Sequence, residues 1–403
     1  MRKNKNKSGK LFDIVIIGGL GHVGLPLGIV FADKGLKVCL YDIDFKKANF
    51  VRKRKMPFME YGAEPILKKT LKNGNLKISS DIKSISKARY VVIAIGTPID
   101  EYLNPKVRSF LDFFAGLKKY LSKNQVIIIR STVYPHTCIQ ILKVLGGKSW
   151  RVAYCPERIA QGYAVKELGE LPQIVAGMTN DAACKAAELF SRIAPKIIRV
   201  SVKEAELIKL FTNAWRYIQF AVTNQFYMVA RDYGVNYDRL RRAMVAEYGR
   251  AANLPAAGFA AGPCLLKDTM QLASFYGSNF FLGHAAMIVN EGLPGFIVED
   301  LKKRYDLSKT TVGILGMAFK ADIDDIRSSL SYKLGKILRF YGAKVFYSDE
   351  YVKDPTFVPK EKLIASSNVI IIGIPHTQYK GLVMPKNKEV VDLWGITKRK
   401  AKS

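Results

Sequence analysis

Phe12-Asp13-Ile14-Val15-Ile16-Ile17-Gly18-Gly19-Leu20-Gly21-His22-Val23-Gly24 is the stretch from which the fold is read. Residues 11–17 form a short apolar run closed by glycines, the pattern of a buried strand entering a tight turn. Residues 24–34 then read as a helix, and 37–41 as a second strand ending at Asp42. Strand, helix and strand in that order make a crossover unit, which implies a parallel sheet. Gly19, Gly21 and Gly24 fit Gly-x-Gly-x-x-Gly: the first permits the turn, the second lets backbone N–H groups approach a pyrophosphate, and the third allows close helix packing. Asp42, 18 residues after Gly24, is placed to accept hydrogen bonds from the ribose 2′- and 3′-hydroxyls. A carboxylate there disfavours a 2′-phosphate, so NAD is expected rather than NADP. A structural turn capped by an Asp is the alternative. Lys47 can flank the adenosine, although a lone helical Lys is usually solvated.

The pattern repeats outward from this unit. Residues 90–95 (YVVIAI), closed by Gly96-Thr97-Pro98, and 126–129, closed by Arg130-Ser131-Thr132, are uninterrupted apolar runs, as in strands covered on both faces. Residues 174–176 add another strand. From Val202 the period changes, with Ala205, Ile208, Leu210, Phe211, Ala214 and Ile218 recurring at helical spacing. A second α/β pattern opens at Thr311, with apolar runs at 312–315, 345–347 and 369–374. The expected fold class is α/β, two Rossmann-like doubly wound domains joined by a central helical domain. The expected limits are a basic tail at 1–10, a cofactor domain at 11–200, a helical domain at 201–294 with its boundary near Pro294, a nucleotide domain at 295–397, and a basic tail at 398–403.

Composition narrows the classes. A chain of 403 residues at about 150 per domain excludes a single small module. With 49% hydrophobic and 24% charged residues, it is not a disordered chain. The 64 Lys and Arg against 34 Asp and Glu give a net +30, which points to an anionic partner or to solvated lysine faces. Five of the first ten residues are basic and four more crowd residues 398–402, yet removing these nine still leaves +21, so the bias is spread through the fold. Cys39, Cys138, Cys155, Cys184 and Cys264 are odd in number and contain no CxxC pair, which argues against a disulfide framework or a zinc knuckle. No apolar run reaches the roughly 18 residues of a membrane span, and no signal peptide opens the chain. A cytoplasmic protein without a membrane span is expected. His22, His136, His284 and His376 lack metal-ligand spacing, so no metal is expected; packing is the expected role of His22.

Two further segments carry chemistry. Cys264 lies in a Gly/Pro-rich loop, Gly258-Phe259-Ala260-Ala261-Gly262-Pro263-Cys264, three residues before Lys267. That setting suits an accessible thiol whose thiolate is favoured by nearby positive charge, and it also suits an ordinary loop cysteine. Glu206, Lys209, Asn213 and Arg216 share one helix face at steps of three and four. The stripe is solvated surface, or a wall that binds phosphate or an oxyanion.

Taken together, GGLGHVGLPLG, IGTPID, STVYPHT, CPERIAQG, AELIKLFTNAWR, GPCLLKDT, GMAFKADIDDIRSS and VVDLW resemble, in that order, the nucleotide-sugar 6-dehydrogenase family. The resemblance runs from about Phe12 to Trp394. It implies an NAD-dependent four-electron oxidation of a sugar C6 alcohol to a carboxylate, with Cys264 as the nucleophile that holds the aldehyde as a thiohemiacetal and then a thioester. Lys209 matches the lysine that stabilises the oxyanion, and Asn213 the asparagine beside it. Asp268 and Thr132 match the pair that orders water, and Glu157 the general acid/base of thioester hydrolysis. Val23, Thr97, Thr132 and Arg327 join the glycines and Asp42 as cofactor residues. The nucleotide sugar is assigned Arg158, Ile159, Lys209, Asn213, Arg216, Gly262, Lys320 and, from a neighbouring subunit, Arg250. A homodimer or larger assembly on the central helices is implied.

The Cys155-Pro156-Glu157-Arg158-Ile159 segment with Gly162 and Arg216 resembles the UDP-N-acetylmannosamine and UDP-N-acetylglucosamine branch, with UDP-N-acetylmannosamine first, for surface polysaccharide or glycan synthesis. UDP-glucose and GDP-mannose are the alternatives. Three departures stand out: His136 where Gly is usual, Gln225 where Glu is usual, and Ala261-Gly262-Pro263 before the cysteine. Two other readings compete. One is a two-electron hydroxyacid dehydrogenase, which needs neither the cysteine loop nor a second α/β unit. The other is a non-catalytic basic protein that binds nucleotide or nucleic acid, for which no basic surface interleaved with aromatics is recognisable; no specific nucleic acid is expected.

Overall fold

The structure, a computed structural model, describes residues 11–101, 104–277 and 279–399. The N-terminal basic tail and the last four residues, with Lys400 and Lys402, lie outside the described residues. The chain forms two compact units, one up to Leu210 and one from Phe211.

The first unit is built on an eight-stranded sheet: β1 (Phe12–Ile17), β2 (Val38–Tyr41), β3 (Leu76–Ser79), β4 (Ala88–Ile93), β5 (Val126–Ile129), β6 (Arg151–Tyr154), β7 (Gln173–Gly177) and β8 (Ile197–Arg199). Its order is β3-β2-β1-β4-β5-β6-β7-β8. Alternate residues of each strand feed two separate cores. Ile14, Ile16, Leu40, Val92 and Ile128 pack on one face, and Val15, Ile17, Cys39, Val91, Ile93 and Ile129 on the other. Burial on both faces is why these strands read as unbroken apolar runs instead of alternating ones.

One pairing differs from the expected parallel sheet: β6 and β7 are antiparallel, with Ala153 opposite Gly177 and Tyr154 opposite Ala176. After Tyr154 the chain does not cross back over the sheet. Its short helix, Ala164–Glu170, packs instead on the helix Gly24–Asp33, so β7 re-enters from the edge where β6 ended and has to run the other way.

The helix Val202–Asp232 carries the chain into the second unit. There β9 (Thr311–Leu315), β10 (Lys344–Ser348), β11 (Val369–Ile372) and, beyond the two-residue β12 (Val383–Met384), β13 (Glu389–Asp392) form a parallel sheet in the order β10-β9-β11-β13. β12 pairs separately with β14 (Lys398–Arg399). The boundary expected near Pro294 falls inside the helix Phe281–Lys302. This helix is long and apolar enough to cross a membrane by length and composition. Leu293, Ile297, Val298 and Leu301 give its composition a local cause, because they pack in one core with Val312, Ile314, Leu330 and Leu334.

Candidate active site

In the first unit the strand order reverses between β1 and β4, and ligands of such sheets bind in the crevice outside the carboxyl ends of the strands at that switch point. The loop after β1 is built for close approach. The turn itself is made by Gly18, at φ +75°, one residue before the first glycine of the motif. A methyl group on Gly24 would lie 2.2 Å from the Gly18 carbonyl oxygen, whereas one on Gly21 would meet only that same oxygen, at 3.4 Å. The protein's own packing therefore excludes a side chain at Gly24 and leaves room over Gly21, the cradle a pyrophosphate would fill. Asp42, at the end of β2, accepts the N–H of Leu20 through Oδ2 at 2.9 Å and that of Asp44 through Oδ1 at 3.1 Å. It thus fixes the loop while its remaining lone pairs stay available to ribose hydroxyls. Val23 heads the helix Gly24–Asp33. Thr97 and Thr132, both half-buried, lie just past β4 and β5 on the same side of the reversal. Lys47 is half-exposed and 3.4 Å from Asp44. His22 packs its ring on Phe58 at 3.9 Å between centroids.

Beyond β6 the loop 155–163 and the start of the helix Ala164–Glu170 are held by carboxylates. Glu157, buried, accepts the N–H groups of Arg158 at 2.6 Å and Ile159 at 2.7 Å and is ion-paired with the buried Arg130. Arg130 also donates to Cys155 O at 3.1 Å and Gln173 Oε1 at 2.9 Å. Glu167 takes the N–H of Ala160. Glu60, from a distant loop, takes those of Gly162 at 3.1 Å and Val165 at 3.2 Å. The Arg158 guanidinium donates to the Pro172 carbonyl. Burial pushes the Cys155 thiol up to about 12, which makes it inert.

Along Val202–Asp232, Glu206 is no solvated residue. It is buried and accepts the N–H groups of His136 at 2.9 Å and Cys138 at 3.0 Å, capping the helix Thr137–Leu145. His136 sits at φ +70°, the left-handed region where Gly carries no steric cost, which explains why Gly is usual there. Lys209 and Asn213 are buried one turn apart, and Arg216 is exposed.

Within the second unit Asn213 donates to Asp268 Oδ2 at 2.5 Å. Asp268 is buried, and Lys267 Nζ stands 3.7 Å from its Oδ1. It belongs to the first turn of the helix Leu265–Phe275, and Cys264, exposed, is the residue that precedes this helix. A helix N-terminus favours a thiolate. Arg327 adds charge: its guanidinium is held more firmly protonated, first by its hydrogen bond to Asp325 and also by Cys264. The cysteine loop is fitted against the segment after β9. Gly262, at φ +98°, donates to Ser328 O at 3.3 Å, and any side chain on it would strike the Phe319 ring at 2.5 Å. The loop's other end is clasped by buried Asn224, which donates to Gly258 O at 3.0 Å and accepts its N–H at 2.8 Å. Gln225 is exposed, so its departure from Glu is a surface change. Lys320 is half-buried in the same post-β9 segment, and Arg250 is exposed.

The NAD binding domain of the UDP-glucose/GDP-mannose dehydrogenase family matches residues 12–194, its central domain 203–291 and its UDP binding domain 313–399. The chain belongs to the UDP-glucose/GDP-mannose dehydrogenase family. It is similar to the UDP-N-acetyl-D-mannosamine dehydrogenases of Methanocaldococcus jannaschii (28% identical, covering 98% of this chain and 94% of that one) and Pyrococcus horikoshii (28%, covering 91% and 90%). The solved structure of the Pyrococcus horikoshii UDP-D-ManNAc dehydrogenase superposes with a TM-score of 0.85 at 25% identity, covering 96% of this chain and 98% of that one. A UDP-glucose dehydrogenase of Pyrobaculum islandicum shares the fold, with a TM-score of 0.84 at 23% identity over 98% and 96%. The protein is an NAD-dependent nucleotide-sugar dehydrogenase, an oxidoreductase built as two Rossmann-type units, as the sequence resemblance implied.

The structure thus groups Cys264, Asp268, Asn213 and Arg327 in one unit, and places Glu157, Arg158, Ile159, Thr132 and the glycine loop in the other. Arg130 and Glu60 escaped the sequence reading. Glu60 is 102 residues from Gly162, and no spacing rule reaches that far. Two outcomes follow. Gly24→Ala should weaken NAD+ binding by at least about tenfold in calorimetric titration, since the added methyl displaces the loop; unchanged affinity would show that the loop does not hold the cofactor. Asn213→Ala removes the only hydrogen bond to the Asp268 side chain among the described residues, and should cost about 1–3 kcal/mol in chemical denaturation.

Proposed function

We propose that the protein oxidises C6 of a UDP-N-acetylhexosamine, UDP-N-acetylmannosamine first, to the uronic acid for surface polysaccharide or glycan synthesis. Cys264 is the nucleophile. Its place at a helix N-terminus beside Arg327, one turn from the Asn213–Asp268 pair, is the observation that carries this reading. The names of the two archaeal relatives favour the mannosamine substrate; UDP-N-acetylglucosamine, UDP-glucose and GDP-mannose are the alternatives.

NAD+, held by Gly19, Gly21, Val23, Gly24, Asp42, Thr97 and Thr132, supplies the hydride acceptor for both oxidations. The first oxidation turns the alcohol into an aldehyde. The Cys264 thiolate adds to that aldehyde carbon, and the oxygen becomes the alkoxide of a thiohemiacetal whose C6–H can leave as a second hydride. Loss of that hydride gives a thioester, and water cleaves it to carboxylate and thiol. Lys209 and Asn213, buried on one helix face, stabilise the negative oxygen. Asp268 and Thr132 are each assigned to ordering the water. Glu157 is assigned the proton transfer of hydrolysis, and its ion pair with the buried Arg130 fixes where that carboxylate sits. Lys320, Arg158, Ile159, Arg216 and Gly262 are each assigned to the nucleotide sugar.

The functional domains divide at 11–200, 201–294 and 295–397, and the protein works in the cytoplasm. Phe211, Trp215, Val222, Phe226 and Val229 form an exposed apolar stripe along the helix Val202–Asp232, with Tyr233 exposed just past its end, larger than isolated surface residues require. It is the surface of a homodimer in which Arg250 of one copy serves the other's substrate.

Incubation with UDP-glucose, UDP-N-acetylglucosamine, UDP-N-acetylmannosamine and GDP-mannose should give two NADH per sugar consumed, fastest with UDP-N-acetylmannosamine. One NADH per sugar would sink the four-electron reading. Cys264→Ser should abolish uronate formation while NAD+ affinity stays within about twofold, and wild-type turnover would remove Cys264 from its role. Trp215→Glu with Val229→Glu should convert the dimer into a monomer in sedimentation velocity; a wild-type profile that stays dimeric after both changes would place the interface elsewhere.

A further inference from the structure

His376 has no part in the chemistry above, yet its side chain is wholly buried, as is that of Asp349. It stands just past β11, and Asp349 just past β10. Nε2 of His376 lies 3.0 Å from Asp349 Oδ2, and Nδ1 accepts the N–H of Asp322 at 2.9 Å. A backbone N–H has only a proton to offer, so Nδ1 is the acceptor and Nε2 is the nitrogen that faces Asp349.

The two contacts fasten the same segment at both ends. Asp349 Oδ2 also accepts the N–H groups of Met317 at 2.6 Å and Ala318 at 3.0 Å. At the other end Asp322, at φ +57°, is further held by Thr377, whose N–H and hydroxyl donate to its carboxylate at 2.8 and 2.6 Å, and by the Tyr351 hydroxyl at 3.2 Å. Lys320 lies between the two anchors. An imidazole suits this bridge because one ring offers a donor and an acceptor on opposite sides with no torsional freedom between them.

We propose that His376 is a positioning residue for the nucleotide sugar: by bridging Asp349 and the Asp322 N–H it sets the segment 317–322 so that Lys320 meets the diphosphate. This rests on the assignment of Lys320 to the substrate.

The test uses the full-length enzyme with UDP as the binding probe and steady-state kinetics in both substrates. His376→Ala should raise KM for the UDP-sugar and Kd for UDP about tenfold or more while kcat at saturation and KM for NAD+ stay within about twofold. His376→Asn, which keeps an acceptor near the Nδ1 position, should recover most of the affinity, whereas His376→Gln, which keeps a donor near Nε2, should not. If the alanine variant does not fold, the Asn and Gln pair still decides. Equal affinities for Asn and Gln, or an alanine variant whose loss falls alike on kcat, both KM values and UDP binding, would overturn the proposal. Lys320→Ala separates the premise. If it weakens UDP binding and His376→Ala does not, the positioning role alone fails; if it leaves UDP binding intact, the assignment of Lys320 fails and takes this role with it.

Discussion

A buried carboxylate cannot be left without partners, and Asp268 is such a group. Its hydrogen bond from Asn213 ties the first turn of the helix Leu265–Phe275 to the helix Val202–Asp232. Cys264 immediately precedes that turn, so the position of the thiol follows from the bond. Asn224, three turns along from Asn213, grips both the N–H and the C=O of Gly258, and its amide is fixed in turn by Asn290, which bonds the carbonyl of Tyr217. One helix therefore holds both ends of the loop 258–264. Between those ends only a glycine fits against Phe319 at position 262. A nucleophile on a loop gains in this way the precision of a helix.

Both sheets repeat one device. A carboxylate at the end of the second strand accepts backbone N–H groups from the loop after the first: Asp42 takes that of Leu20, and Asp349 those of Met317 and Ala318. For Asp349, burial alone would raise the carboxyl, but His376 and the N–H groups of Val352 and Tyr351 outweigh it and hold it at about 2. The phosphate-facing loops of a Rossmann unit carry unsatisfied N–H groups by design, and an anion built into the adjacent strand end keeps such a loop in shape before any ligand arrives.

The sequence made the strands legible because burial on both faces removes the polar alternation from β1, β4 and β5. It made the cofactor loop legible because close backbone approach excludes all side chains but hydrogen at Gly24. The antiparallel β7 was not legible, since whether residues 155–172 cross the sheet depends on where the helix Ala164–Glu170 finds its partner. Glu60 and His376 were hidden for a similar reason: each acts on a backbone N–H more than 50 residues away. Periodicity and motif spacing are local signals. Glu206 shows the opposite error, because a charged residue on a helical stripe looks solvated until the helix end it caps is in view.

The charge of +30 gives little guide to which cations face the ligands. Arg130 is committed to Glu157, Arg158 to the carbonyl of Pro172, and Arg327 to Asp325 beside Cys264. Each is bound to a group of its own unit, and the ion pairs among them change the field felt by a carboxylate or a thiol instead of adding to a diffuse positive surface. Arg327 illustrates the consequence. Its guanidinium is bound to the Asp325 carboxylate and still interacts electrostatically with Cys264, so the ion pair fixes where that charge acts. What matters for the chemistry is where a few cations are fixed, and the carboxylates that fix them do as much of that placement as the cations themselves.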